Sequence, residues 1–63
     1  MYQDAQLTED GWIILNQRDE TGATIDELEL RLSDYTDVQE ALSSNGYELA
    51  SDWENGYADI WAV

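Results

Sequence analysis

Residues 47–63, YELASDWENGYADIWAV, contain the pattern from which the fold is predicted. An Asn-Gly pair at 55 and 56 separates two runs in which polar and apolar residues alternate. This combination is typical of a β-hairpin with a two-residue turn. The tightest register gives one apolar face, which begins at Tyr47 and is predicted to lie on the core. Its cross-strand pairs are Trp53–Ala58, Ser51–Ile60 and Leu49–Ala62.

The other face of this hairpin is predicted to be acidic. Its residues are Glu48, Ala50, Asp52 and Glu54 on the first strand, opposite Val63, Trp61, Asp59 and Tyr57 on the second. The register puts Asp52 directly across from Asp59, where like charges destabilise a sheet. Because the face keeps this repulsion beside outward aromatic rings, we interpret it as a binding surface.

The charge of the chain limits what it can bind. Its 63 residues include fifteen Asp and Glu, no Lys, and only Arg18 and Arg31 as cations, for a formal net charge of −13. A hydrophobic content of 43% with three Trp and four Tyr indicates a single folded domain, residues 1–63, rather than an acidic disordered tail. Since phosphate affinity comes from Lys and Arg, we expect a basic protein surface as the partner and no direct nucleic-acid binding.

The composition also argues against several kinds of site. The chain has no Cys and no His, so we expect no zinc, haem or iron–sulfur cofactor and no thiol- or His-based catalysis. No apolar run approaches the ~20 residues of a membrane span, and the start, MYQDAQ, lacks signal-peptide features. We expect a cytoplasmic monomer that binds no membrane.

The first half of the chain is predicted to form a second hairpin. Residues Trp12–Arg18, WIILNQR, begin with the aromatic and β-branched residues that favour a strand. A turn is predicted at residues 9–11, and a loop of about five residues at Asp19–Ala23. The apolar residues among the first ten form either a short first strand or a loosely tied arm.

Residues 24–33 allow two interpretations. Leu28, Leu30 and Leu32 alternate with charged residues as in a half-buried strand, whereas Thr24 and Glu27 resemble a helix capping box. We favour the strand, because it places all three leucines inside and gives the preceding strand a partner.

A helix is predicted over Ser33–Ser44. Thr36 and Gln39 have the spacing of a capping box, and the Asn-Gly pair at 45 and 46 supplies a left-handed stop. The resulting order predicts an α+β fold: a small antiparallel sheet with one helix on one face (ββαββ), with or without an extra N-terminal strand.

No motif in the chain predicts catalysis. The carboxylates are dispersed, and a domain this small has little room for the cleft that an acid–base pair requires. Residues 52–63 have the length of an EF-hand loop, but Tyr57 and Val63 replace its Gly and Glu. We therefore expect a protein that is not an enzyme and has no metal or cofactor.

The residues predicted to contact a partner lie on outward strand faces. Alternate residues of a strand are about 6.6–6.8 Å apart, so outward carboxylates form rows of anions, and outward aromatic rings supply anchors. A sheet of this kind can occupy a protein groove that normally holds duplex DNA. The candidates are Glu48, Asp52, Glu54, Asp59, Glu27, Glu29, Trp61 and Tyr57.

Salt adaptation is the alternative explanation of the charge. A halophilic protein keeps Asp and Glu high and Lys low, and such an acidic domain would serve as a protein-interaction module. The lack of Lys fits this explanation as well, but we favour a mimic of DNA. A third explanation, an acidic face that serves solubility alone, is disfavoured because −13 in 63 residues exceeds what solubility requires. Trp12, Trp53 and Tyr47 are expected to pack in the core, whereas Trp61 fits core packing and ligand contact equally well.

The whole chain resembles the small acidic anti-CRISPR proteins of phages, and among them the type I-C group. The resemblance lies in the compact α+β pattern, the acidic strand Asp26–Leu30 and the acidic hairpin Glu48–Asp59. It implies a DNA mimic that binds a CRISPR effector complex and blocks DNA entry where the PAM duplex is read. It assigns a function to no individual residue of this chain.

Overall fold

The computed structural model describes the whole chain, Met1–Val63, as five strands and one α-helix. The elements are β1 (Asp4–Leu7), β2 (Trp12–Arg18), β3 (Thr24–Arg31), α1 (Val38–Ser44), β4 (Tyr47–Leu49) and β5 (Tyr57–Ala62). The strands form one antiparallel sheet in the order β3-β2-β1-β5-β4. The predicted α+β fold is confirmed, with the extra N-terminal strand present.

The N-terminal strand β1 is the centre of the sheet. It joins the two hairpins, because β2 pairs along one side of it and β5 along the other. Ala5 pairs with both Leu15 and Ala58 and is completely buried. Of the two predictions made for this segment, the strand is confirmed and the loose arm is wrong.

Strand β3 confirms the extended interpretation of residues 24–31. Leu28 and Leu30 face the core, and Leu32 follows in a short 3₁₀ turn and packs against the same core. The register shifts between Gln17 and Arg18, which leaves Ile25 as a bulged residue near the start of the strand.

The five-residue loop between β2 and β3 forms as predicted and is organised by Asp19. The Asp19 carboxylate accepts hydrogen bonds from the Thr21 hydroxyl at 2.6 Å and from the backbone N–H groups of Thr21 and Ala23 at 2.8 and 3.1 Å. These bonds, the Thr21 hydroxyl foremost, hold the pKa of Asp19 below its ordinary value.

Helix α1 begins later than predicted. Residues Leu32–Asp34 form the 3₁₀ turn, so the α-helix starts at Val38. Its N-cap is Asp37, whose carboxylate accepts from the Glu40 N–H at 2.8 Å, and the predicted Thr36–Gln39 capping box is therefore wrong. An Asp cap is favoured because it also places a negative charge at the positive end of the helix. The predicted left-handed end of the helix is confirmed, since Gly46 has a φ of 85°.

The turn of the C-terminal hairpin forms as predicted. Asn55 and Gly56 have φ angles of 53° and 81°, the left-handed conformation that a type I′ turn requires. Glu54 and Tyr57 exchange backbone hydrogen bonds of 2.7 and 3.0 Å across it.

The predicted register of that hairpin is wrong beyond its turn. Leu49 pairs with Ile60 rather than with Ala62, so residues 50–53 bulge opposite residues 58 and 59. Because the slip is two residues, which is the side-chain period of a strand, every residue that remains in the ladder keeps its predicted face.

The predicted pairing of Asp52 with Asp59 does not occur. The Asp59 N–H donates to the Ser51 hydroxyl at 2.9 Å, and its carbonyl accepts from the Ala50 N–H at 2.8 Å. On its other side Asp59 pairs with Asp4. The predicted register would have placed three aspartates in one row, and the bulge avoids this repulsion by moving Asp52 out of the ladder.

The core lies between α1 and one face of the sheet. Its largest fully buried side chains are Ile13, Leu15 and Leu42. Tyr47 and Trp53 are partly buried and pack against it, as predicted. The opposite face of the sheet is left without a covering element.

Candidate partner-binding surface

We call the sheet face opposite α1 the open face. The alternation of side chains in the paired strands places on it the residues next to the core positions. Its charged residues are Asp4, Arg18, Glu27, Glu29, Arg31, Glu48 and Asp59. The face is therefore acidic overall, but it also carries both arginines of the chain.

One row of side chains crosses four strands of the open face. Glu27, Asn16, Asp4 and Asp59 pair in that order from β3 to β5. Neighbouring strands lie about 4.7–4.9 Å apart, so Asp4 and Asp59 are the adjacent like charges of the row. The like-charge pair that the sequence indicates does exist, but its second member is Asp4.

Arg18 compensates one of these two aspartates. Its Nε donates to Asp4 Oδ2 at 2.5 Å, and Asn16 Nδ2 donates to Asp4 Oδ1 at 2.8 Å. The hydrogen bond from Arg18 to Asp4, together with the carboxylate charge, raises the pKa of the guanidinium above its ordinary value. This is the only salt bridge in the protein, so Asp4 alone among the fifteen carboxylates has a cationic partner.

Asp59 has no salt-bridge partner and lines an open depression beside the hairpin turn. Asp52 and Glu54 line the same depression, as do Asp4 and Tyr57. The bulge thus brings together three of the predicted partner-binding carboxylates, although not in the predicted register. We call Asp52, Glu54 and Asp59 the hairpin carboxylates.

Asp4 is the residue of this surface that sequence reasoning missed. The available signal was the alternation of Asp4 and Gln6 with the apolar Ala5 and Leu7, which predicts an outward carboxylate if the segment is a strand. Its position next to Asp59 depends on the pairing of the first and last strands, which no local pattern indicates.

Two aromatic side chains stand on the open face near the hairpin carboxylates. Trp61 is 55% exposed and Tyr57 is 44% exposed, and both lie on β5. The Trp61 indole N–H donates to the Glu48 carboxylate at 2.8 Å, which fixes the ring while leaving much of its surface accessible. For Trp61 the structure decides between the two expectations in favour of exposure.

Glu27 and Glu29 form a separate group at the far side of the open face. They lie on β3, with β2 and β1 between them and β5. Beside them, the Arg31 guanidinium lies 4.9 Å from the centre of the Trp12 ring, a cation–π contact. The prediction that Trp12 packs in the core is wrong, because the residue is half-buried on the open face.

The remaining carboxylates are distributed around the rest of the molecule. Most lie in turns, loops or the segment before α1, namely Glu9, Asp10, Asp19, Glu20, Asp34 and Asp37. Glu40 lies in α1, and Asp26 lies in β3 on the face opposite to Glu27 and Glu29. Negative charge is therefore not confined to the open face. What distinguishes the hairpin carboxylates is that they share one depression next to exposed aromatic rings.

Comparisons with family models, with curated proteins and with solved structures found no match. No group of three or more carboxylates is arranged to hold a metal ion. The helices lack the length and apolar character that crossing a bilayer requires.

Proposed function

We propose that this protein is a non-enzymatic inhibitor that acts as a DNA mimic. In this proposal the hairpin carboxylates enter a basic DNA-binding groove of a partner, such as a CRISPR effector complex, and block recognition of the PAM duplex. The observation that carries the proposal is that only one of fifteen carboxylates, Asp4, has a salt-bridge partner within the chain. Arg31 is the one other cation, so most of the balancing charge comes from dissolved ions or from a basic partner.

The support that holds the hairpin carboxylates favours binding over simple solvation. Asp59 lies on β5, which is paired on both sides, with β1 and with β4. Glu54 adjoins the type I′ turn and pairs with Tyr57, whereas Asp52 lies in the bulge outside the ladder. The backbone that carries Asp59 and Glu54 is thus already ordered, so it loses little conformational entropy when a partner binds. Lysines and arginines that line a DNA groove attract these anions by the same charge that attracts phosphates, so protein and DNA compete.

The exposed aromatic rings add a second contribution. Trp and Tyr are enriched among the residues that dominate interface energies, where the partner covers and desolvates their rings. Trp61 and Tyr57 are exposed on the open face, with Glu48 and Asp59 close by, so a partner that binds there would desolvate both rings. The charges would then set the association rate and its salt dependence, and the rings would slow dissociation.

Removing the charge of the hairpin carboxylates is expected to weaken partner binding. The variant Asp52→Asn, Glu54→Gln, Asp59→Asn should bind a basic partner at least about tenfold more weakly, because each close charge pair contributes on the order of 1.5 kcal/mol or more. Titration calorimetry at several salt concentrations measures the affinity and how steeply it decreases with salt. Both quantities should be lower for the variant than for the parent.

A matched control separates local charge from total charge. The variant Glu9→Gln, Asp10→Asn, Glu20→Gln changes the net charge by the same amount at exposed positions of two other loops, and it should bind nearly as well as the parent. Equal losses for both variants would show that net charge alone drives association, and the assignment to the hairpin would be wrong. Thermal unfolding of the first variant should show equal or higher stability, since repulsion is relieved.

The free protein should become more stable as salt is added, and most of this gain should occur at low salt concentrations. Two charges about 10 Å apart in water repel by about 0.4 kcal/mol, and the screening length falls from about 30 Å at 0.01 M to about 8 Å at 0.15 M salt. We expect the unfolding free energy to rise by about 1 kcal/mol over this range, which moves the midpoint by roughly 4–8 °C.

This measurement also separates the DNA mimic from the halophilic interaction module. A mimic that works in an ordinary cytoplasm must be folded at about 0.15 M salt, and circular dichroism should show a complete native transition there. A chain that folds only near molar salt would support salt adaptation instead.

A further inference from the structure

The two edge strands of the sheet differ in how accessible they are. Strand β4 has three residues and packs against α1, whereas β3 has eight residues and pairs only with β2. An edge strand of this length presents a row of unpaired backbone groups to other chains.

The register identifies the free backbone groups of β3. The Leu32 N–H donates to the Gly11 carbonyl at 2.9 Å, and in an antiparallel ladder the residues that face the neighbouring strand alternate. Leu30 and Leu28 therefore turn their backbone groups toward β2. The backbone groups of the intervening residues, Glu27, Glu29 and Arg31, point away from the sheet.

Charged side chains are the main protection of this edge, since β3 carries Asp26, Glu27, Glu29 and Arg31. The chain contains no Pro and no Lys, and the bulge at Ile25 interrupts only the start of the strand. The Glu27 N–H is already bonded to the Asp26 carboxylate at 2.9 Å. The backbone groups that remain free to pair with an added strand are the N–H groups of Glu29 and Arg31 and the carbonyls of Glu27, Glu29 and Arg31.

The charges along this edge select what can pair with it. The Glu27 and Glu29 side chains are exposed on the open face, and a residue added opposite them would lie about 5.5 Å away. A second copy of this chain, with a net charge of −13, would bring only a strongly anionic strand to the edge. A strand with Lys or Arg at alternate positions matches them, and half-buried Leu28 offers an apolar neighbour on the other face.

We propose that β3 binds an extended segment of a basic partner protein by strand addition. The segment carries Lys or Arg opposite Glu27 and Glu29, with an apolar residue between them that packs beside Leu28. This inference rests on the proposed function in one respect, namely that the partner is basic. It adds a second contact region, on the opposite edge of the sheet from the acidic hairpin.

Three synthetic peptides test the strand addition. The first is a nine-residue peptide in which Lys and Val alternate; the other two have the same sequence but carry N-methyl groups on the Lys amides or on the Val amides. When the peptide pairs antiparallel with β3 and a Lys lies opposite Glu29, the Lys amides face β3 and the Val amides face solvent. Methylation of the Lys amides should therefore weaken binding about tenfold or more, and methylation of the Val amides less than about threefold.

Amide hydrogen exchange supplies the second readout. The N–H groups of Glu29 and Arg31 should exchange quickly in the free protein and at least about tenfold more slowly with the unmethylated peptide bound. In the variant Glu29→Gln the same protection should appear at a higher peptide concentration, because only the charge is lost.

Equal affinities for the two methylated peptides, unprotected amides at both positions, or no peptide binding at all would each overturn the strand addition. None of these results bears on the proposed role of the hairpin carboxylates, which is tested separately with variants at Asp52, Glu54 and Asp59. The opposite result is also possible: the β3 amides are protected, but the hairpin variant and its matched control lose the same affinity for the basic partner. It would support strand addition and contradict the assignment of DNA mimicry to the hairpin.

Discussion

Replacing Leu15 with Ala is expected to lower the free energy of unfolding by about 2–5 kcal/mol. Leu15 is completely buried, lies on β2 and pairs with both Ala5 and Leu28. The truncation removes apolar contacts and leaves a cavity between the sheet and α1, and a small domain can collapse around it only in part.

The size of this loss relative to the total stability makes it informative. A domain of 63 residues has a total stability of roughly 3–9 kcal/mol, and this one also carries its own charge repulsion. The loss is therefore a large part of the total stability, and the urea midpoint of the variant at 25 °C is expected to lie far below that of the parent. Urea titration followed by circular dichroism measures the difference directly.

Ile25→Ala is the matched control for this substitution. Ile25 is also aliphatic and lies in a neighbouring strand, but it is 58% exposed and sits in the bulge of β3. Its truncation should cost less than about 0.5 kcal/mol, as surface substitutions usually do. Comparable losses at the two positions would contradict the location of the core described above.

The fold class could be predicted because the period of each hydrophobic pattern is local. The aromatic and β-branched start of residues 12–18, the alternation in residues 28–32 and the Asn-Gly pair at 55 and 56 identify strands and a turn without any knowledge of their partners. The two-residue slip in the C-terminal hairpin shows why this prediction is robust. It changed the pairs and preserved the inward and outward faces.

The parts that could not be predicted depend on contacts between distant residues. Strand β1 has four residues, too few for a clear period, and its central place is decided by pairing with β2 and β5. The same pairing puts Asp4 beside Asp59. The bulge at residues 50–53 removes Asp52 from the row that contains this pair, and the pattern of the hairpin alone does not indicate it.

The candidate surface was predicted in its residues but not in its geometry. Asp52, Glu54 and Asp59 were expected on one flat strand face, and they instead line a depression that Asp4 completes. Glu27 and Glu29 were expected on the same acidic surface, and they lie on β3, with β2 and β1 between them and β5. This separation is the reason for proposing two contact regions rather than a single acidic face.

A DNA mimic is expected to displace DNA from the groove of its partner. If protein and DNA occupy one groove, saturating the groove with protein must remove the DNA by mass action. At a protein concentration 100 times its own Kd, the apparent affinity of the partner for DNA should fall about 100-fold. The hairpin variant Asp52→Asn, Glu54→Gln, Asp59→Asn should need a concentration at least about tenfold higher for the same effect.

DNA mimicry can be tested by fluorescence anisotropy of a labelled PAM-containing duplex that is bound to a type I-C CRISPR effector complex and titrated with this protein. A DNA mimic should release the duplex completely, and the protein concentration needed for half-release should rise in proportion to the DNA concentration. A duplex that stays bound with unchanged affinity while the effector is saturated with this protein would contradict DNA mimicry, and so would the absence of any binding to the effector.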